Sequence, residues 1–182
     1  MRVISGLAKG RRLAAPSTET TRPVLDRVRE AVFSMIGDWV VDAAVLDLYA
    51  GSGSFGIEAL SRGAVSATFV ENARVALDAL RSNIDAVGLG GTIVSSPVAD
   101  FLAVGSATFD IVFIDPPWSI SSQALSDDLT ALDRFLEPKA EVVLSRRWGD
   151  QTPTQPENWR VATDRRYGDT RILRYEKETD AS

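Results

Sequence analysis

From residue 43 onward the sequence alternates between short, almost wholly apolar runs and amphipathic stretches of helical period. The runs "AAVLDLY", "SATFVE", "TIVSS", "FDIVFIDPP" and "AEVVLS" read as strands. Between them "SFGIEALSRG", "ARVALDALRSNIDAVG" and "ALSDDLTALDRFL" read as helices, the first two stopped by Gly63 and Gly88. In the second of these helices Val75, Leu77, Leu80, Ile84 and Val87 form the expected inward stripe. Strands that are apolar on both faces need cover on both faces, so the alternation predicts an α/β fold built on a mostly parallel sheet. The segment "NWRVATDRRYGDTRILRYEK" adds two extended pieces around Gly168, an antiparallel pair that makes the sheet mixed. Ahead of the alternating region, residues 2–5 and 11–15 flank the turn "GLAKG" as a small hairpin. Pro23 then opens an amphipathic helix with Leu25, Val28, Val32, Met35 and Ile36 inward.

Composition narrows the chemistry. The chain of 182 residues has no cysteine and no histidine. Disulfides, thiolate nucleophiles, Cys-based zinc sites, Ser-His-Asp triads and the commonest general base are therefore excluded, and no metal site is expected. Catalysis would have to run on carboxylates, hydroxyls, backbone groups or a reactive cofactor. The N-terminal "MRVISGLAKGRRL" lacks the apolar core of a secretory signal. No apolar run reaches the ~18 residues needed to span a bilayer. A cytoplasmic location and no membrane partner are expected.

The charge is unevenly spread. Residues 1–29 carry a net of +5, residues 30–145 a net of −11, and residues 146–174 seven basic against four acidic side chains. An acidic body with basic ends fits local attraction to a polyanion, and equally fits solvated arms.

The stretch "LDLYAGSGSFGIEAL" contains Gly51, Gly53 and Gly56 as G-x-G-x-x-G, at the first strand-to-helix turn of the alternating region. Such a loop holds a nucleotide cofactor when it joins a strand to a helix. Glu71 ends the next strand and suits the ribose hydroxyls of an adenosine, which NAD and S-adenosylmethionine share. Asp47 discriminates between them. A pyrophosphate at this loop wants bare N–H donors and no neighbouring anion, whereas the ammonium and sulfonium of S-adenosylmethionine suit a carboxylate. Asp47 also fits a helix-cap or turn aspartate.

The segment "IVFIDPPW" is the second chemical signal. A buried strand ends in Asp115, Pro116, Pro117 and Trp118. The prolines fix the backbone, so the Asp115 carboxylate and the Pro116 carbonyl can aim at one point and accept both hydrogens of an exocyclic –NH₂. Trp118 can stack on the attached base, or sit in the core after a proline turn.

"DLYAGSGSFG" with "DPPW" resembles the class I S-adenosylmethionine-dependent methyltransferases that act on amines. "RVISGLAKGRRL", "TRPVLDRVREAVFSMI" and "YGDTRILRYEK" resemble the RsmD family, bacterial methyltransferases of a guanine N2 in 16S rRNA. The likeness runs through essentially the whole chain, with Trp118 standing where Tyr or Phe is commoner. It implies a Rossmann-like, seven-stranded sheet with an antiparallel C-terminal strand and a small N-terminal β-hairpin extension. It also implies a basic arm over residues 1–22, a methyltransferase domain over 23–178 and a disordered tail over 179–182. The resemblance assigns Asp115, Pro116, Pro117 and Trp118 to catalysis. It assigns Asp47, Ala50, Gly51, Ser52, Gly53, Glu71, Asp100 and Phe101 to S-adenosylmethionine, with Asp100 facing the adenine amine. Asp100 alternatively fits a helix N-cap. Arg11, Arg12, Arg22, Arg27 and Arg29 are the candidate RNA contacts. The implied partner is 16S rRNA within the 30S subunit or an assembly intermediate, met by a monomer. Competing readings keep the reaction but change the acceptor to DNA adenine N6 or a protein glutamine. A further one makes the chain a non-catalytic RNA-binding assembly factor.

Overall fold

The computed structural model describes residues 1–15 and 26–179. Arg22, Pro23, Leu25 and the last three residues of the expected tail lie outside that range. The elements follow the predicted alternation, with one helix, α4, added between the third and fourth strands: α1 (Asp26–Ile36), β1 (Ala44–Leu48), α2 (Ser54–Ser61), β2 (Ser66–Glu71), α3 (Arg74–Val87), β3 (Thr92–Ser95), α4 (Val98–Val104), β4 (Phe109–Ile114), α5 (Ser122–Leu132), β5 (Leu136–Arg147), β6 (Trp159–Tyr167) and β7 (Thr170–Lys177).

The seven strands form one sheet in the order β3-β2-β1-β4-β5-β7-β6. The first five pair in parallel, and β7 runs antiparallel between β5 and β6. The chain steps outward from β1 through β2 to β3, then returns to the other side of β1 with β4. That reversal opens a crevice at the carboxyl ends of β1 and β4, where open α/β sheets hold ligands. Asp47 pairs with Phe113 and Leu48 with Ile114, so the loops after β1 and β4 leave the sheet side by side.

Both faces of the sheet are buried. One core joins Val45, Phe69, Phe113, Val143 and Ile172 to Val32, Phe33, Phe55 and Leu80 on the helices of that side. Phe113 lies 5.4 Å from the ring of Phe33 and 4.9 Å from that of Phe55. The other core joins Leu48, Val112, Ile114, Leu144 and Leu173 to Leu102, Leu129 and Leu132. The inward stripe of α3 differs from the predicted one. Val75 is 42% exposed, while Ala76, Leu77, Leu80, Asn83 and Val87 face inward. Leu77, Leu80 and Val87 keep the predicted phase, and Ala76 and the polar Asn83 take the buried places expected of Val75 and Ile84, the latter only partly buried.

The N-terminal hairpin is minimal. A single antiparallel bridge joins Arg2 and Arg12, with Val3 and Arg11 bonded at 2.9 Å. The hairpin is held by α2 rather than by its own ladder. Glu58, fully buried on α2, accepts from the Ile4 and Ser5 amides at 2.7 and 3.0 Å. One turn further, Ser61 accepts from Leu7 through its carbonyl at 2.7 Å and from Ala8 through its hydroxyl at 2.9 Å, and donates to the Ser5 carbonyl. Gly6 passes so close that an added Cβ would sit 1.7 Å from the Ser61 carbonyl oxygen, with φ at +78°. Only glycine meets both demands.

Arg29 corrects a sequence expectation. It is fully buried, not an RNA-facing charge. Its guanidinium donates to the Arg2 carbonyl and to Asp26, and lies 3.9 Å from Glu58. Burial lowers its pKa, and the Glu58 and Asp26 carboxylates oppose that shift. Arg62 completes the cluster with a 2.7 Å bond to Glu58. Removing one member of a buried ion pair strands the other charge and costs about 3–5 kcal/mol. Glu58→Ala is accordingly expected to lower the thermal midpoint by more than ten degrees and to expose the hairpin to limited proteolysis.

Candidate active site

The glycine loop leaves β1 through a run of left-handed residues: Tyr49 and Gly51 at φ +57° and Gly53 at +78°. Tyr49 is the unusual member, a bulky side chain in a region that favours glycine. Its phenol donates to Asp128 of α5 at 2.6 Å, and burial raises both its pKa and that of Asp128. The three glycines differ in purpose. A Cβ at Gly56 would strike Phe69 at 2.3 Å and one at Gly53 would strike Leu80 at 2.4 Å, so these two let α2 pack on the sheet. A Cβ at Gly51 would meet only the Tyr49 carbonyl, at 3.9 Å. Space therefore lies open over Gly51, on the side a ligand would approach.

Two carboxylates brace this loop. Asp47, buried at the end of β1, accepts from the Gly56 amide at 2.9 Å. Gly53, the N-cap of α2, has no side chain to satisfy that amide, and Asp47 caps the helix from the neighbouring strand. Burial pushes the Asp47 carboxyl well above the usual range; the Gly56 bond opposes this, while Asp115 and Glu71 add to it. Glu71 accepts from the Gly51 amide at 2.8 Å through one oxygen, and from Asn72 and Ala73 at 2.8 Å through the other. A third brace comes from Asn83, which donates to the Ser52 carbonyl at 2.9 Å. The same Asn83 amide exchanges bonds of 2.8 and 3.0 Å with Ala14 of the N-terminal arm.

Across the crevice, Asp115 follows β4 and its amide reaches the Leu48 carbonyl at 3.4 Å. Its Oδ1 accepts from the Ser145 hydroxyl on β5, a partner that apolar patterning passed over. The available signal was position: Ser145 stands at the carboxyl end of a strand adjacent to the one ending in Asp115. Burial lifts the Asp115 carboxyl to about 6, against the opposing pull of Ser145. Pro116 is buried, and Pro117 is exposed and closes a turn with Ile120 at 3.1 Å. Trp118 is 40% exposed, not core, and the Arg147 guanidinium sits 5.5 Å from its ring centre.

Ala50 and Ser52 are buried in the loop. Asp100 lies exposed in the first turn of α4, two residues inside the helix rather than at its N-cap, which is Pro97. Phe101 stacks on Phe135 at 5.6 Å. Arg11, Arg12 and Arg27 are exposed, Arg11 bonding the Ala86 carbonyl at the end of α3. Among the described residues no cluster of acidic side chains could hold a metal, and no helix is long and apolar enough to cross a membrane.

The open backbone over Gly51, with Asp47, Glu71 and Asp115 converging around it, favours a cationic ligand with a ribose over a pyrophosphate. This sheet order, glycine loop and carboxylate set define a class I S-adenosylmethionine-dependent methyltransferase. Residues 1–176 match the family described as "Conserved hypothetical protein 95", the RsmD family. The chain is 34% identical over 179 residues to ribosomal RNA small subunit methyltransferase D of Escherichia coli, covering 98% of this chain and 90% of that protein. It is 33% identical over 175 residues to the Haemophilus influenzae protein of the same name, covering 92% and 89%. The solved structure of Escherichia coli yhhF superposes with a TM-score of 0.88 at 33% identity, over 99% of each chain. The chain belongs to the RsmD family.

Asn83 holds the glycine loop by a single buried bond, worth about 1–2 kcal/mol with its partner left unsatisfied. Asn83→Ala is expected to weaken S-adenosylmethionine binding by about tenfold in calorimetry.

Proposed function

We propose that the chain methylates the exocyclic N2 amine of a guanine in small-subunit ribosomal RNA, acting as a monomer in the cytoplasm on the 30S particle or an assembly intermediate. The observation that carries this reading is Asp115, fixed by Ser145 at the crevice beside Pro116 and an exposed Trp118. The relatives' names supply the RNA class. Gly51, Ser52, Gly53 and Ala50 would cradle the cofactor, with Asp47 and Glu71 on its cationic and ribose ends and Asp100 and Phe101 toward its base. When bound, S-adenosylmethionine supplies an electrophilic methyl group.

The protein's own task is to make a poor nucleophile available. The guanine N2 lone pair is delocalised into the ring. With Oδ1 taken by Ser145, the other Asp115 oxygen and the Pro116 carbonyl can accept the two amine hydrogens. Those bonds localise the lone pair and stabilise positive charge that develops on nitrogen. Asp115 can then take the proton the amine sheds, a task suited to a carboxyl near pH 6. Trp118 holds the base by stacking. A paired base cannot enter, so the guanine is unstacked at a cost of a few kcal/mol. The exposed Arg11, Arg12 and Arg27 offset that cost through phosphate contacts; Arg22 lies outside the described residues.

Labelled methyl transfer to 30S subunits from a strain lacking the enzyme, followed by nucleoside analysis, is expected to yield N2-methylguanosine. Label in DNA or protein and none in RNA overturns the reading. Asp115→Ala is expected to reduce kcat by about a hundredfold or more with RNA binding retained. Because Asp115 accepts only when ionised, kcat/KM should hold above neutrality and fall as the pH drops through about 6. An acid limb two units lower in a pH–rate series removes Asp115 from the role.

A further inference from the structure

The carboxyl end of β5 carries a surface that the active site does not use. Four of the arginines in residues 146–174 are neutralised: Arg146 by Asp150, Arg160 by Glu176, Arg171 by Asp164 and Arg174 by Glu141. Arg147, Arg165 and Arg166 are exposed and have no carboxylate partner among the described residues. The positive charge of this region therefore resides on those three. Of the three, Arg166 lies against Trp148, which is 45% exposed and has Arg166 4.9 Å and Arg171 6.0 Å from its ring centre; Arg165, opposite Ile172, leaves β6 on the other face.

This surface is anchored. The Trp148 amide donates to the Asp169 carbonyl in the β6–β7 turn at 2.7 Å. Arg171 is held by Asp164 at 2.8 and 2.6 Å and by Thr152 at 2.6 Å. Arg166 bonds only the Gly168 carbonyl, at 2.8 Å, which leaves its guanidinium charge outward. The same strand end also serves the crevice: Ser145 touches Asp115 and Arg147 covers Trp118, while Trp148, the next residue, meets Arg166 and Arg171. Exposed aromatic rings next to unpaired guanidiniums bind unpaired nucleotides, the rings and guanidinium planes by stacking and the charge through phosphates. An acidic protein would be met by the charge but would leave the rings without a function.

We propose that Trp148, with Arg166 against its ring, forms a second RNA-holding surface that grips single-stranded nucleotides flanking the target guanine. This rests on the rRNA reading above, and places a grip on the C-terminal hairpin in addition to the N-terminal arm.

The test uses the full chain with Trp148→Ala and, separately, Arg166→Glu. Binding of a 16S rRNA fragment to the S-adenosylhomocysteine-loaded protein is measured beside methylation of 30S subunits. Each variant is expected to bind RNA about tenfold more weakly and to raise KM for 30S subunits similarly, with cofactor affinity and melting temperature unchanged. The charge reversal should also flatten the salt dependence of RNA binding. RNA affinity and KM within twofold of wild type in both variants overturn the proposal. If the wild type methylates no rRNA, the functional reading fails, and the RNA-binding measurement still decides this surface.

Discussion

Asp47 and Glu71 end neighbouring parallel strands, and each spends a carboxylate oxygen on a backbone amide of the chain that follows β1. These bonds do what a capping side chain would do for α2, whose N-cap is a glycine in the left-handed region. The loop cannot cap its own helix, because a side chain at the N-cap Gly53 would strike Leu80 at 2.4 Å. The capping oxygens therefore come from the sheet. The same bonds fix which faces of Asp47 and Glu71 remain toward the crevice, so the helix, the loop and the acidic rim form one construction.

The N-terminal hairpin rests on a second buried polar cluster, built around Glu58 and Arg29. A hairpin with one bridge cannot stand alone in water. It stands here because α2 supplies acceptors for its amides and Gly6 lets it lie against the Ser61 carbonyl. The ion cluster is expensive to desolvate, and hydrogen bonds that satisfy most of its lone pairs offset the cost. The helix that begins at the glycine loop thus ends in the seat of the basic arm.

Much of this was legible in the sequence because it follows from periodicity. Apolar strands broken by amphipathic helices leave few architectures, and the glycine loop and "DPPW" fall at the ends of the strands that the topology makes adjacent. What patterning misreads is polar residues facing inward. Asn83 occupies a stripe position on α3, where the apolar reading took its neighbour Ile84. Arg29 looks like a basic-arm charge until α2 brings Glu58 beside it, a contact between residues far apart in the chain. Ser145 meets Asp115 only because β4 and β5 pair in a particular register. Asp100 lies two residues inside α4 because the helix starts on Val98, directly after a proline. For Asn83, Arg29 and Ser145 the deciding partner is distant in sequence and polar, and local composition carries no trace of it; for Asp100 the signal, Pro97, was local.

One carboxamide, that of Asn83, bonds the arm at Ala14 and the glycine loop at Ser52. Thermodynamic reciprocity attaches to such a shared bond. Whatever free energy the loop gains from an ordered arm when the cofactor binds, the arm gains equally from a loaded loop when it docks. The two ligands of a transferase are ordinarily treated as independent until they meet at the reacting atoms. If the loop holds the cofactor and the arm the RNA, as proposed above, a side chain away from the reacting atoms would link their affinities, and the order of arrival would leave the total unchanged while altering which step carries the gain.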